Sequence, residues 1–237
     1  MRIGVDRQFL YPPPMGASYN YKEFVGPPKR YYATGRERFE FLLRSGLTEV
    51  DHFLDIGCGS LRLGRLLIPF LLPDRYCGVE PGERYLQEGL DRELIDVFSE
   101  ALIEHKRPCF DTNDGFDFTC FGRTFDVVVA LAVFIHCGPV QLSTCLRGVK
   151  KVMKPTAVFY VDFEVAAETH QLDSHSKYPW ASNQTVRYTM DDITRILEEE
   201  GFTHEVVRRG VRRKKRGVRA LFSDRKGLRT LFKLTSG

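Results

Sequence analysis

Apolar positions along this chain fall into two alternating patterns: short continuous runs, and repeats spaced three and four residues apart. The runs are His52–Ile56, Tyr76–Glu80, Phe125–Leu131 and Ala157–Phe163, with a weaker one near Cys109–Thr112. Each is short and flanked by polar or turn residues, which predicts strands. The Val-rich run at 125–131 has no polar alternation, as expected for a parallel strand covered on both faces. The spaced repeats predict helices. Leu142, Cys145, Leu146, Val149, Val152 and Met153 mark one over 139–153, and Leu86, Leu90, Leu94, Val97, Ala101 and Leu102 mark another over 82–104. A further helix is expected from Ser60 to near Pro69 or Pro73. Thr34-x-x-Glu37 has capping-box spacing, so a first helix is expected over about 35–45, with Gly46 as its stop. Thr189-x-x-Asp192 opens a last helix, ended by Gly201, and Phe202–Val207 and Leu228–Leu234 read as two final strands. Strands alternating with helices predict a doubly wound parallel sheet with helices on both faces.

Composition narrows the class. The chain has 237 residues, 43% hydrophobic and 28% charged, enough to bury a sizeable core. The longest apolar runs, 66–73 and 127–135, are far shorter than the roughly 20 residues of a membrane span. The start shows no apolar signal segment, so a cytoplasmic protein is expected. The six cysteines include no C-x-x-C pair, which disfavours a disulfide scaffold or a zinc site. Asn183-Gln-Thr185 matches a glycosylation sequon, without the secretory context that would give it meaning.

Residues 1–34 are rich in Pro and Tyr and are expected to form an arm or lid. Residues 35–237 are expected to form one domain. Within it, 164–188 would be an insertion after the fifth strand, and 208–227 a basic loop between the last two strands. Charge is uneven: residues 201–237 carry +10 and the rest −6. Residues 208–219 could grip nucleic acid or an anionic surface, although aromatic interleaving is thin and a solvated loop is equally consistent.

The strongest chemical signal is Phe53-Leu-Asp55-Ile-Gly57-Cys-Gly59-Ser-Leu-Arg62. A glycine turn between a strand and a helix lets backbone approach a ligand closely and points helix amides at it. Glu80, at the end of the next strand, can accept both hydroxyls of a ribose. A dinucleotide site would want a third glycine where Arg62 stands, so a nicotinamide or flavin reductase is disfavoured.

These residues resemble the class I S-adenosylmethionine-dependent methyltransferases. The resemblance is carried by Leu54-Asp-Ile-Gly-Cys-Gly59, Gly78-Val-Glu-Pro81, Phe125-Asp-Val-Val-Val-Ala-Leu131, Val152-Met-Lys-Pro155 before a strand, and Gly201-Phe202 after a helix. It spans residues 35 to about 208. It implies a Rossmann-like, seven-stranded sheet of order 3-2-1-4-5-7-6 with the last strand antiparallel, and S-adenosylmethionine as methyl donor. It implies that Asp55, Gly57 and Gly59 cradle the donor's methionine part, beside Cys58, Ser60 and Arg62. Glu80 and Pro81 would border the ribose. Asp114, with Asp117 or Asn113 as rivals, would bind the adenine amino group. Ala130 to His136 would border the sulfonium and the acceptor, with His136 a candidate general base. Tyr32 and Phe134, together with Tyr178 and Trp180 of the insertion, are expected on the acceptor side, and Tyr31 and Arg36 as lid contacts. Leu61 departs from the family's frequent third glycine, which would displace the donor slightly and bring Arg62 toward its carboxylate. No metal is expected: Asp162, Glu164, His170 and His175 fit no ligand spacing.

Methyl transfer to oxygen or nitrogen of a small or medium-sized molecule is the expected activity. A nucleic-acid methyltransferase and a non-catalytic donor-binding domain are the alternatives. Cys137 lacks the Pro-Cys context of a cytosine-methylating nucleophile, and no Asn/Asp-Pro-Pro-Tyr/Phe follows the fourth strand.

Overall fold

The structure is a computed structural model and describes residues 20–167, 185–209 and 228–236. Its strands form a seven-stranded sheet of order β3-β2-β1-β4-β5-β7-β6, the order expected from the sequence. The chain divides into two compact units, Met1–Asp114 and Gly115–Gly237.

In the first unit, a one-turn helix α1 (Tyr21–Phe24) and a 3-10 turn (Pro28–Arg30) lead into α2 (Tyr31–Arg44). Then follow β1 (Phe53–Ile56), α3 (Gly64–Phe70), β2 (Tyr76–Val79) and α4 (Glu83–Gly89). A π-helical turn (Leu90–Ile95), α5 (Glu100–Lys106) and β3 (Cys109–Asp111) complete it. β1 and β2 pair in parallel, as do β2 and β3. Every residue of β1 and β2 is buried, the condition under which a strand reads as an unbroken apolar run.

In the second unit, β4 (Phe125–Ala130) is followed by α6 (Pro139–Lys150) and β5 (Met153–Val165). Then come α7 (Met190–Glu199), β6 (Phe202–Arg209) and β7 (Leu228–Ser236). β4 and β5 are parallel; β7 lies between β5 and β6, antiparallel to both. Thr189 caps α7 as expected, its hydroxyl accepting the Asp192 N–H at 3.0 Å.

Three boundaries differ from the sequence reading. α2 begins at Tyr31, not near 35, and Thr34 is no cap. The 3-10 turn ahead of it supplies the start, since the Tyr31 N–H bonds Pro28 O. The helix expected from Ser60 begins at Gly64, because Leu61 takes a left-handed turn (φ 59°). The single helix expected over 82–104 is divided by the π-helical turn and by Ser99, whose φ is 147°. Apolar spacing carries across such a break unchanged, so the pattern did not reveal it. No helix among the described residues is long and apolar enough to cross a membrane. Most of the 164–188 insertion and of the basic 208–227 segment lies outside the described residues.

Candidate active site

The first unit builds its site around the turn that follows β1. Gly57 (φ 68°) and Gly59 (φ 56°) take left-handed backbone that most side chains resist. The Gly57 and Cys58 amides donate to Val79 O at 2.8 and 3.1 Å, which ties the turn to the end of β2. Leu61 also has positive φ and is wholly buried. The chain therefore keeps a glycine-like turn at this position at a cost of about 1–2 kcal/mol, and core packing of the leucine side chain offsets it. The loss of the third glycine leaves the turn intact.

Glu80, only 3% exposed, stands at the end of β2. Its Oε2 accepts the Gly59 N–H and its Oε1 the Gly82 N–H, each at 2.9 Å. Each oxygen keeps a lone pair for a further donor. Burial nonetheless pushes its carboxyl up to about 7, against the opposing effect of the two amides. Asp55 is likewise buried, accepts the Tyr76 hydroxyl at 2.9 Å, and is pushed up to about 6 by burial. Ser60 is fully buried and its hydroxyl has no hydrogen-bond partner. The two glycine amides fix the Glu80 carboxylate while its remaining lone pairs stay open, which suits a ligand that presents hydroxyl donors.

The N-terminal segment lies against this turn. Arg62 donates to Val25 O, and the Tyr31 hydroxyl donates to Ser60 O at 2.6 Å. A methyl group added to Gly59 would meet Val25 Cγ1 at 2.5 Å. Arg62 thus anchors the arm through a carbonyl. Tyr32, expected on the acceptor side, is half exposed and engaged locally. Its hydroxyl accepts from Lys22 Nζ at 2.8 Å and donates to Glu93 at 3.2 Å, and the Arg65 guanidinium covers its ring at 4.6 Å.

Glu93 is the residue that sequence reading missed. It is buried in the π-helical turn, takes the Tyr21 hydroxyl at 2.5 Å and lies within 4 Å of both Lys22 and Arg65. A buried carboxylate with this many partners fixes the arm to the body of its unit. Its one sequence signal was its place three residues after Leu90, on the apolar side of the repeat.

The other expected residues are placed as follows. Pro81 follows Glu80, and its carbonyl accepts the Glu83 N–H at 3.1 Å. Asp114 is exposed in the turn after β3, where Asn113 is held by the Asp111 carboxylate. Asp117 is spent on Thr119, accepting both its amide and its hydroxyl. Ala130 ends β4, buried, in register with Val161 of β5. Phe134 is fully buried and stacks on Phe163 at 5.7 Å. The stack shields both rings from solvent. His136 is exposed in the loop after β4. Tyr178 and Trp180 lie outside the described residues.

That loop is clamped within the second unit. Ala132, at φ 74°, donates its amide to Asp162 at 2.6 Å, and Asp162 also receives Arg229 Nε at 2.9 Å. Val186 N–H bonds Ile135 O at 2.9 Å, and the Tyr188 hydroxyl bonds Cys137 O at 2.6 Å.

Residues 54–159 match the family model described as "Methyltransferase domain". The chain has the fold of the class I methyltransferases. Solved structures of this fold agree. Magnesium protoporphyrin IX methyltransferase from Synechocystis PCC 6803 with bound S-adenosylmethionine is 18% identical, covers 89% of this chain and 81% of its own, and has a TM-score of 0.58. The glycopeptide N-methyltransferase MtfA, complexed with the same donor, is 15% identical over 86% of this chain and 94% of its own, at 0.58. An S-adenosylmethionine-dependent methyltransferase from Leishmania major is 14% identical over 90% and 75%, at 0.60. No curated protein matches the chain by sequence. The first two of these structures were solved with S-adenosylmethionine bound, and the site of the first unit has the chemistry to hold the ribose of such a donor.

With a ribose on Glu80, as the resemblance implies, donor binding would depend on pH. Ribose hydroxyls donate to the ionised carboxylate and so favour it. Donor affinity is therefore expected to rise from pH 6 to about pH 7 and to level off by pH 8, by up to roughly tenfold per pH unit on the rising limb. Calorimetric titration of S-adenosylmethionine across this range checks it; a flat profile would place the ribose elsewhere. Stability runs the other way. Both carboxyls titrate higher folded than unfolded, so their contribution is fullest at low pH and lost as pH rises through about 6 and about 7.

Proposed function

We propose that this protein transfers a methyl group to an oxygen or nitrogen of a small or medium-sized molecule. The observation that carries the reading is the Glu80 carboxylate, set by the Gly59 and Gly82 amides at 2.9 Å, next to the unsatisfied Ser60 hydroxyl. When bound, S-adenosylmethionine supplies an electrophilic methyl carbon on a sulfonium. Asp55, Gly57, Gly59 and Ser60 bind its amino-acid part, Glu80 its ribose, and Asp114 borders its adenine. The loop from Ala130 to His136 borders the acceptor.

The remaining task of the protein is alignment and exclusion of water. An acceptor lone pair forms a bond to the methyl carbon while the carbon–sulfur bond breaks toward sulfur, so correct alignment alone can supply roughly 7–11 kcal/mol. A proton leaves the acceptor, and His136 is the candidate base for it. The clamps on Ala132, Ile135 and Cys137 hold this loop in one arrangement, which suits a defined small acceptor. The neighbours named for a porphyrin and a glycopeptide are consistent with that size class.

The test is transfer of label from methyl-labelled S-adenosylmethionine to pooled metabolites, peptides and RNA. Label in a small acceptor supports the reading. Label in RNA alone, or donor binding with no transfer, overturns it.

A further inference from the structure

The end of β5 carries two carboxylates, of which the fold uses one. Asp162 and Glu164 alternate with Phe163, so both lie on one face of the strand, while Phe163 packs among Phe134, Tyr188 and Phe232. Arg229 of β7 stands opposite Glu164 in register. A parallel bridge joins Val165 to Tyr188, which sets Arg187 beside Glu164 from the other side. The Tyr188 amide donates to Glu164 O, and the Ala166 amide to Tyr188 O, each at 3.0 Å. Three charged side chains thus stand in a row across the sheet: Arg187, Glu164, Arg229.

Their partners differ. Arg229 and Asp162 are committed to each other at 2.9 Å, and Asp162 also holds the Ala132 amide. Among the described residues, Glu164 and Arg187 make no side-chain hydrogen bond and no ion pair, with each other or with any neighbour. The Arg187 Nε is shielded from solvent without a partner. Glu164 is partly desolvated, and this raises its carboxyl against the attraction of both arginines. Leaving a buried donor on a cation unsatisfied is costly, so the arrangement is complete only with a further group. Both residues adjoin the clamped loop of the proposed acceptor side, through Asp162 and through Val186.

We propose that the acceptor is a zwitterion, with its carboxylate held by Arg187 and its amine held by Glu164. This rests on the methyltransferase reading above. A purely anionic acceptor would meet the Glu164 charge, and a purely cationic one would leave the Arg187 Nε unsatisfied. An amino acid-like molecule satisfies both, and the planar guanidinium fork matches a carboxylate.

The test uses the full-length protein saturated with S-adenosylhomocysteine. Glycine, β-alanine and phenylalanine are titrated by ligand-observed NMR, each beside its methyl ester and its N-acetyl derivative. Free amino acids are expected to bind about 10- to 100-fold more tightly than either derivative. Arg187→Gln should erase the preference for acid over ester, and Glu164→Gln the preference for amine over N-acetyl. Both variants should keep the wild-type affinity for S-adenosylhomocysteine. Arg187→Lys retains the charge and should restore part of the preference for acid. Derivatives that bind as tightly as the parent acids overturn the proposal, even if the variants fail to fold. So does an absence of amino-acid binding when S-adenosylhomocysteine binds. Failure of S-adenosylhomocysteine itself to bind would instead overturn the methyltransferase reading.

Discussion

Glu80→Ala is expected to abolish measurable binding of S-adenosylmethionine. The substitution removes the ribose acceptor and leaves the Gly59 and Gly82 amides without their partner. Two hydrogen bonds to a charged acceptor, at roughly 1.5–3 kcal/mol each, correspond to a loss of at least about 100-fold. The orphaned amides also lower stability, so the melting temperature should fall. Glu80→Gln separates the two effects. Its amide keeps a carbonyl for one backbone N–H and occupies the same volume, so the fold should hold while donor affinity still drops markedly. It should also lose the rise in affinity between pH 6 and pH 7. Calorimetry and thermal melting on both variants make the check. Donor binding by Glu80→Ala within threefold of wild type would show that the ribose is not read here.

Gly35→Ala is expected to disrupt the site from a distance in sequence. Gly35 is buried in α2, and a methyl group on it would fall well inside contact distance of the Arg62 carbonyl oxygen, which is backbone. Alanine ordinarily favours a helix over glycine by about 1 kcal/mol. Here the clash wins, because overpacking typically costs about 1–3 kcal/mol, sometimes more, when backbone must move. A net loss of about 1–2 kcal/mol would lower the melting temperature by about 2–8 °C in a chain of this size. The backbone that must move is the Ser60–Arg62 turn, so donor affinity should fall at least tenfold as well. A variant that melts at or above the wild-type temperature with full donor affinity would mean that α2 does not set the turn.

The glycine turn and the carboxylate that faces it were legible because their signal is local. Asp55, Gly57, Gly59 and Glu80 lie in one strand–turn–helix–strand passage, where each residue type is dictated by its own backbone or by the next strand. The strands themselves were legible for a related reason: buried parallel strands leave short, mostly apolar runs, as at β1, β2 and β4, whereas their order in the sheet came from the family resemblance. Leu61 was read as a departure, since nothing in the sequence shows that a leucine can hold a left-handed turn once its side chain fills the core.

Other residues changed meaning on folding. Phe134 was read as an acceptor contact from its place after β4, and its stack on Phe163, 29 positions away, is visible only in the fold. Tyr32 looked like a substrate residue, but its partner is Glu93, 61 positions away, and an isolated glutamate in an apolar repeat gives no hint of such a contact. The row of Arg187, Glu164 and Arg229 depends on strand register, which brings together residues from three separated segments.

The sequence by itself determined the strands, the helices with apolar spacing and the glycine turn after the first strand, because these follow from backbone geometry and from burial along single elements. Only the tertiary structure decided how the arm is fastened, which aromatic side chains are core, and which charges remain for an acceptor. Those outcomes depend on pairings between distant segments, and the pairing of a charge or a ring is fixed by packing that no local pattern encodes.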